Sequence, residues 1–292
     1  MTCRIAYICG KQGLSIIPVL RDITGPENLM VFASASAFPE WAGEHDGIKP
    51  VESADRLKVD MKTFRPDIIF VMTYLARLDA SLSECSKYGM VNIHPSLLPK
   101  YRGGAPIFYA LKNGEEQVGV TFHFITAEFD QGDIIHQTTI KVTPQDCASS
   151  VWLKVLKKIV AQLPSVIENR SEWASRAKKQ DDAFATFVGF PSAQERTLSD
   201  LKGAEENLDI IRACGRVTGA PLLINGQTIF VTDASMTHLN ADCDDTAAAF
   251  ISSDNKLIVR VRDGWMRVDA ARYNDKAISS WRIIMEVKDN GA

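Results

Sequence analysis

Asn92, His94 and Asp130 are the residues whose types and spacing can carry chemistry. Asn92 and His94 stand two apart in the run Asn92-Ile93-His94-Pro95-Ser96-Leu97-Leu98-Pro99-Lys100-Tyr101-Arg102-Gly103-Gly104. In an extended segment two such side chains leave the same face, so a carboxamide and an imidazole converge. Pro95 and Pro99 stiffen the chain that follows. Thirty-six residues beyond His94, Asp130 opens Asp130-Gln131-Gly132-Asp133. Its carboxylate can set the charge and orientation of an imidazole. Singly these residues are ordinary: a lone histidine is usually a satisfied core residue, and Asp-x-Gly-Asp is usually a turn.

The elements that would position them follow from apolar patterning. Cys3 to Cys9 reads as a strand, Gly10-Lys11-Gln12-Gly13 as a turn, and Leu14 to Ile23 as a helix. The two glycines fit either a plain turn or an anion site at the helix start, and the third glycine of a dinucleotide fingerprint is missing. Leu29 to Ala33 is a short apolar run and Ala54 to Phe64 has helical spacing. Ile68 to Met72 is a continuous apolar strand of the kind buried on both faces. Leu78 to Lys87 is expected as a helix, Met90 to His94 as a strand and Ala105 to Lys112 as a helix. This alternation implies parallel β-α-β units, and places Asn92 and His94 where the carboxyl ends of the strands meet and ligands bind.

From Gln117 the texture changes. Val118 to Ile125 and Ile134 to Val142 are strand-like runs joined by Thr126 to Asp133, an expected antiparallel excursion. Val151, Trp152, Val155, Leu156, Ile159, Val160 and Leu163 then follow at three-and-four spacing, a helix with one apolar face. Glu168 to Asp200 is charged and rich in Ala and Ser, and is expected to be a linker crossing the first domain's surface. A boundary near Thr197 divides the chain into domains of 1–196 and 197–292. Beyond the helical Asn207 to Cys214, five short apolar runs and the turn signal Asn225-Gly226 suggest a small β-barrel.

Composition excludes several classes. Of 292 residues 46% are apolar and 24% charged, a globular balance. No apolar run approaches the roughly 20 residues of a membrane span, and the first residues lack a secretion signal. Net charge is −3, with no general attraction to DNA or any other polyanion. The six cysteines form no C-x-x-C pair, so reduced thiols and a cytoplasmic location are expected. His123 and His136 fall on facing strands, but no ligand spacing completes a metal set; structural or solvent-facing histidines are the expectation.

The run Asn92 to Gly103, continued by Ala105-Pro106-Ile107, Gly119-Val120-Thr121 and Asp130-Gln131-Gly132-Asp133, resembles the formyltransferases that use 10-formyltetrahydrofolate, the family of methionyl-tRNA formyltransferase and glycinamide ribonucleotide transformylase. The likeness covers most of the chain, since Ile211-Arg212-Ala213, Gly219-Ala220 and the strands beyond look like the small barrel that follows the catalytic domain in the methionyl-tRNA branch. It implies an α/β fold with a Rossmann-like, mostly parallel sheet bearing helices on both faces, then a small OB-like β-barrel. It also makes Asn92, His94 and Asp130 the catalytic trio. A primary amine attacks the formyl carbon, an amide N–H and an imidazolium N–H stabilise the oxyanion better than reorganising water, and Asp130, which favours the protonated imidazole, or a bound water relays the proton lost by the amine to the departing folate nitrogen. The formyl-folate is then held by backbone groups of Ala76, Arg77 and Leu78 and of Thr126, Ala127, Glu128 and Phe129, with Ser96, Leu97, Leu98 and Pro99 bordering it.

Members of the family differ in acceptor. From Leu201 onward eleven basic residues face thirteen acidic ones, and the basic insertion that the resemblance implies after the second strand is replaced by Ser34 to Pro50, which carries Phe38, Glu40, Trp41, Glu44, His45 and Asp46 and the single lysine Lys49. Both features disfavour tRNA and favour a small acceptor, a nucleotide-linked amino sugar or an amino-acid-derived amine. Trp41 or Phe38 would stack on a sugar ring, and Tyr101 and Arg102 would hold a diphosphate. Methionyl-tRNA remains the alternative. A hydrolase that uses water in place of the amine, or an inactive folate-binding protein, is the other.

Overall fold

The computed structural model describes residues 3–34, 47–224, 226–237, 249–252, 254, 256–274 and 276–278. In chain order, the first elements are β1 (Ile5–Cys9), α1 (Ile17–Thr24), β2 (Leu29–Ala33), β3 (Ile48–Pro50), α2 (Ala54–Phe64), β4 (Ile68–Met72), β5 (Met90–His94) and β6 (Arg102–Gly103). They are followed by α3 (Pro106–Lys112), β7 (Gln117–Phe124), β8 (Ile134–Lys141), α4 (Ala148–Glu168), α5 (Trp173–Arg176) and β9 (Phe187–Val188). Seven strands form one sheet in the order β3-β2-β1-β4-β5-β7-β8. Strands β1 to β5 pair in parallel, and β7 runs antiparallel to β5. All five residues of β1 and of β4 are buried, as continuous apolar runs in a covered parallel sheet must be.

α2 begins where the Ser53 hydroxyl accepts from the Arg56 backbone N–H at 3.1 Å, a standard N-cap. Its Leu57, Met61 and Phe64 bury against Ala6, Ile8, Phe32, Ile69 and Val71. Along α4, Val151, Val155, Ile159 and Leu163 are fully buried, while Trp152, Leu156 and Val160 lie at the edge of the stripe. Instead of an α-helix over Leu78 to Lys87 there is a six-residue 3-10 helix, Ala80–Cys85. The Asp79 carboxylate caps it by accepting from the Ser81 N–H at 2.9 Å, and the Ser83 and Ser86 hydroxyls donate to backbone carbonyls at 2.7 and 3.1 Å. Such local bonds compete with longer helix formation.

The loops after β1 and β4 meet on either side of the reversal in strand order. The Gly10 N–H donates to the Met72 carbonyl at 3.1 Å and the Gly13 N–H to Thr73 Oγ1 at 3.1 Å. A Cβ on Gly10 would stand 2.1 Å from the Thr73 oxygen, so close backbone approach accounts for that glycine.

The described residues gather into two compact units, Met1–Pro106 with Val118–Ile140 and Lys154–Val188, and Ile107–Gln117 with Lys141–Leu153 and Gly189–Ala292. In the second lie α6 (Ala193–Arg196), α7 (Ala204–Thr218) and β10 (Ala220–Ile224), β11 (Gln227–Thr237), β12 (Ala249–Ile251), β13 (Leu257–Val261), β14 (Gly264–Tyr273) and β15 (Lys276–Ile278). The strands form an antiparallel sheet ordered β10-β11-β14-β13-β12, with β15 also on β14. Ile210 and Ile211 of α7 bury with Ile229, Val231, Leu257, Val259, Met266 and Val268. The expected hairpin is present, Ile224 pairing with Gln227; Asn225 itself lies outside the described residues.

Candidate active site

Alternation along β5 places Asn92 and His94 on one face, and both reach Asp130. Asn92 Nδ2 donates to Asp130 Oδ1 at 2.9 Å, and His94 Nδ1 lies 3.5 Å from Asp130 Oδ2. His94 is buried, and its Nε2 is 2.8 Å from the Tyr101 carbonyl oxygen. That oxygen only accepts, so Nε2 carries a proton. Burial pushes the His94 imidazole below its usual pKa, against the pull of the Asp130 charge and the Tyr101 carbonyl. Burial raises the pKa of Asp130 in turn. It is outweighed by His94, His123 and the Gly103 N–H, which hold the carboxyl well below its ordinary range, so Asp130 is ionised at neutral pH.

The backbone that carries Asp130 is held from several sides. Asp130 has φ 55°, a left-handed conformation that a non-glycine residue rarely adopts. Gln180 Nε2 donates to the carbonyls of Asp130 and Gly132, both at 2.8 Å. Gln180 Oε1 in turn accepts from Arg102 Nε and Nη2 at 3.0 and 2.8 Å, and Arg102 Nη2 also donates to Asp182 at 2.8 Å. The Gly103 N–H donates to Asp130 Oδ2 at 2.8 Å. Gly103 has φ 105°, and a Cβ there would meet the Val188 carbonyl oxygen at 2.2 Å, where β6 pairs with β9.

These contacts correct two expectations. Glu168 to Asp200 is more than a linker, because Gln180, Asp182 and β9 brace the loop that carries Asp130. Arg102 is 1% exposed and engaged by Gln180 and Asp182, so it is no ligand for a diphosphate; burial of an arginine requires such partners. Tyr101 is likewise buried, its carbonyl accepting from His94. Phe38, Glu40, Trp41, Glu44, His45 and Asp46, the expected acceptor-side residues, lie outside the described residues.

The expected folate segments come together. The Arg77 guanidinium donates to the Ala127 carbonyl and lies 3.8 Å from Glu128. Ala76, Arg77, Thr126, Ala127, Glu128 and Phe129 are exposed, while Leu78 packs into the apolar cluster under α2. Ser96 to Pro99 is bound to β7 and β8. Thr121 Oγ1 donates to the Ser96 carbonyl at 2.7 Å and accepts from the Leu98 N–H at 3.3 Å, and Gln137 Nε2 donates to the Leu98 carbonyl at 2.9 Å. Leu97 packs over Gly119, and the Leu98-Pro99 bond is cis. The exposed residues Ala76 and Arg77 thus lie against the exposed Thr126 to Phe129, which lead directly to Asp130.

Residues 15–167 match the Formyl transferase family over more than half of the chain. The chain belongs to that family. Methionyl-tRNA formyltransferase of Latilactobacillus sakei is 33% identical over 201 residues, 68% of this chain. The chain spans about six tenths of that relative's length, 61% of it being aligned. Two solved structures share the fold. HypX of Aquifex aeolicus in complex with tetrahydrofolic acid is 16% identical, with 98% of this chain and 48% of that one covered and a TM-score of 0.66. The N-formyltransferase of Helicobacter canadensis in complex with folinic acid and dTDP-3-aminofucose is 17% identical, with 90% and 98% covered and a TM-score of 0.66.

Beside Asn92, His94 and Asp130 one residue was missed by sequence reasoning. His123 is buried, directly opposite Asn92 across β5 and β7, and its Nε2 lies 3.3 Å from Asp130 Oδ1. Alternation within Val118 to Ile125 puts it on one face with Thr121, but only the register between the strands places it beside Asn92. His136 lies elsewhere, its ring 6.0 Å from that of Phe122. Among the described residues no group of three His, Cys, Asp or Glu could hold a metal ion, and no helix is long and apolar enough to cross a membrane.

Proposed function

We propose that this chain transfers a formyl group from 10-formyltetrahydrofolate to a primary amine. The observation that carries this is the convergence of Asn92 and His94, from one face of β5, on an ionised Asp130 in the β7–β8 loop at distances of 2.9 and 3.5 Å, next to the exposed Thr126 to Phe129. The amine nitrogen bonds to the formyl carbon and the carbonyl electron pair moves to oxygen, where donors from Asn92 and His94 stabilise it. Asp130 takes the proton released by the amine. The bond from that carbon to the folate nitrogen then breaks, and the proton passes to the departing nitrogen. The backbone of Ala76, Arg77 and Leu78 and of Thr126 to Phe129 is assigned to the pterin, with Ser96 to Pro99 along its edge.

Methionyl-tRNA is the acceptor that the relatives' names support, at 33% identity over 201 residues for the Latilactobacillus sakei enzyme. A second reading, a nucleotide-linked amino sugar or other small amine, draws on the acidic balance after Leu201. In both, residues 1–196 form the catalytic domain, and the sheet within 197–292 is assigned to an OB-like barrel. The test is formyl incorporation from 10-formyltetrahydrofolate into charged initiator tRNA, sugar nucleotides and hydroxylated ornithine, beside a reaction with no amine. Incorporation identifies the acceptor, and turnover without amine indicates hydrolysis. Absence of tetrahydrofolate under every condition overturns the reading.

A further inference from the structure

The segment that braces Asp130 also reaches His94, through one residue that the chemistry above leaves unused. Thr186, the exposed residue just before β9, makes three bonds to the loop 99–102. Its N–H donates to the Pro99 carbonyl at 3.2 Å, and its carbonyl accepts from the Arg102 N–H at 2.8 Å. Its hydroxyl oxygen accepts from the Tyr101 N–H at 2.7 Å. Between the last two bonds stands Tyr101, whose φ of 60° is left-handed and unfavourable for a residue with a Cβ. The Tyr101 N–H and the Arg102 N–H belong to the two peptide planes that flank its Cα, and φ and ψ describe how those planes are set against each other. Holding both planes therefore holds the turn.

The turn matters because of what it presents. The plane that carries the Arg102 N–H also carries the Tyr101 carbonyl, and that oxygen accepts from His94 Nε2 at 2.8 Å. A carbonyl has no proton to give, so Nε2 keeps its own in the neutral ring and in the imidazolium alike. Nδ1, 3.5 Å from Asp130 Oδ2, is then the ring nitrogen left to gain and lose a proton. We propose that Thr186 is a positioning residue for formyl transfer, its hydroxyl fixing the Tyr101 turn and so the plane of the His94 imidazole. The assignment rests on the formyl-transfer reading and deepens it. A relaxed Tyr101 swings its carbonyl away, and His94 loses the partner that sets which nitrogen faces Asp130.

The test uses the full chain with Thr186→Val, which keeps the branched shape but removes the acceptor, and Thr186→Ser, which keeps the hydroxyl. In Thr186→Val the Tyr101 amide hydrogen should exchange faster with solvent, and nitrogen-15 NMR should find the His94 Nε2–H signal displaced from its wild-type position. The His94 titration should also move to lower pH, because the bond to the Tyr101 carbonyl favours the protonated ring. The titratable groups that face the ring, Asp130 from the β7–β8 loop and His123 from β7, are untouched by either substitution. Thr186→Val should lower kcat by up to about a hundredfold, the scale of a catalytic group displaced by roughly 1 Å, with KM for the formyl donor unchanged. Thr186→Ser should restore the spectra, the titration and the rate. Wild-type His94 signals in Thr186→Val overturn the proposal, as does a Thr186→Ser that recovers nothing. Should the wild-type protein formylate no amine, the functional reading fails, while amide exchange and the ring spectra still decide whether Thr186 holds His94 in place.

Discussion

Asp130 stands between two imidazoles, and its charge matters to that of His94. Because it favours protonation of His94, replacing it with asparagine should push the His94 pKa further down than burial already does, which the pH dependence of the His94 ring signals in NMR would report. The same change should cost about 10²–10⁴ in kcat, the range for a lost acid–base group, with the formyl donor still bound. Protonation also bears on stability. Folding lowers the pKa of both His94 and Asp130, so the unfolded chain binds protons more readily than the native one. Stability is therefore full above the ordinary histidine pKa of about 6.5. It falls on acidification, first through His94 and, below the ordinary carboxylate range, through Asp130. Urea unfolding at neutral pH and about pH 5 should differ in that direction, and by less in His94→Gln. That Asn92 and His94 share a face was legible from their spacing, because alternation on a strand is a local property, while a role for them came only from the family resemblance. His123 was not, since its meaning depends on a register between strands some thirty residues apart.

At the scale of elements, the short pairing of β6 with β9 and the bridge from Arg102 through Gln180 hold a loop that its own residues would not stabilise. Removing the Gln180 amide frees the carbonyls of Asp130 and Gly132 and strips two hydrogen bonds from a buried guanidinium. Gln180→Ala should therefore cost about 1.5–3 kcal/mol, the worth of bonds to a charged group, measured by denaturant unfolding, and should lower formyl transfer as well. Gly103→Ala brings a Cβ to 2.2 Å from the Val188 oxygen. It should abolish activity by displacing the N–H that binds Asp130, and a crystal structure of the variant should find β6 parted from β9. The parallel strands and α4 were readable because continuous apolar runs and three-and-four spacing report burial directly. The bracing by Gln180 and Asp182 was not: both are polar, as linker residues are, and their partners lie about fifty to eighty residues away.

For the whole molecule, charge is the quantity that separates the acceptors. Net charge is −3, and the acidic excess persists after Leu201, so a tRNA acceptor would be met by few phosphate contacts. Raising salt from about 50 to about 200 mM should then reduce kcat/KM for charged tRNA by less than the roughly thousandfold loss of a protein with six or more such contacts. A steeper loss would reveal a basic surface that the totals conceal. The change of texture along the chain set the expected boundary near Thr197, whereas the compact units are discontinuous in sequence. The inclusion of 107–117 and 141–153 in the second unit was not legible, because local patterning does not say which core a helix end joins.

The facing of Asn92 and His123 across two neighbouring strands also restricts how descendants of this gene can vary. A single codon gained or lost within residues 117–124 would turn every following side chain of that strand to the opposite surface, removing the imidazole from the carboxamide while leaving both residues present in the text of the protein. Length changes should therefore be tolerated before Gln117 and absent between Gly119 and His123, a pattern that alignment of natural variants would reveal at once.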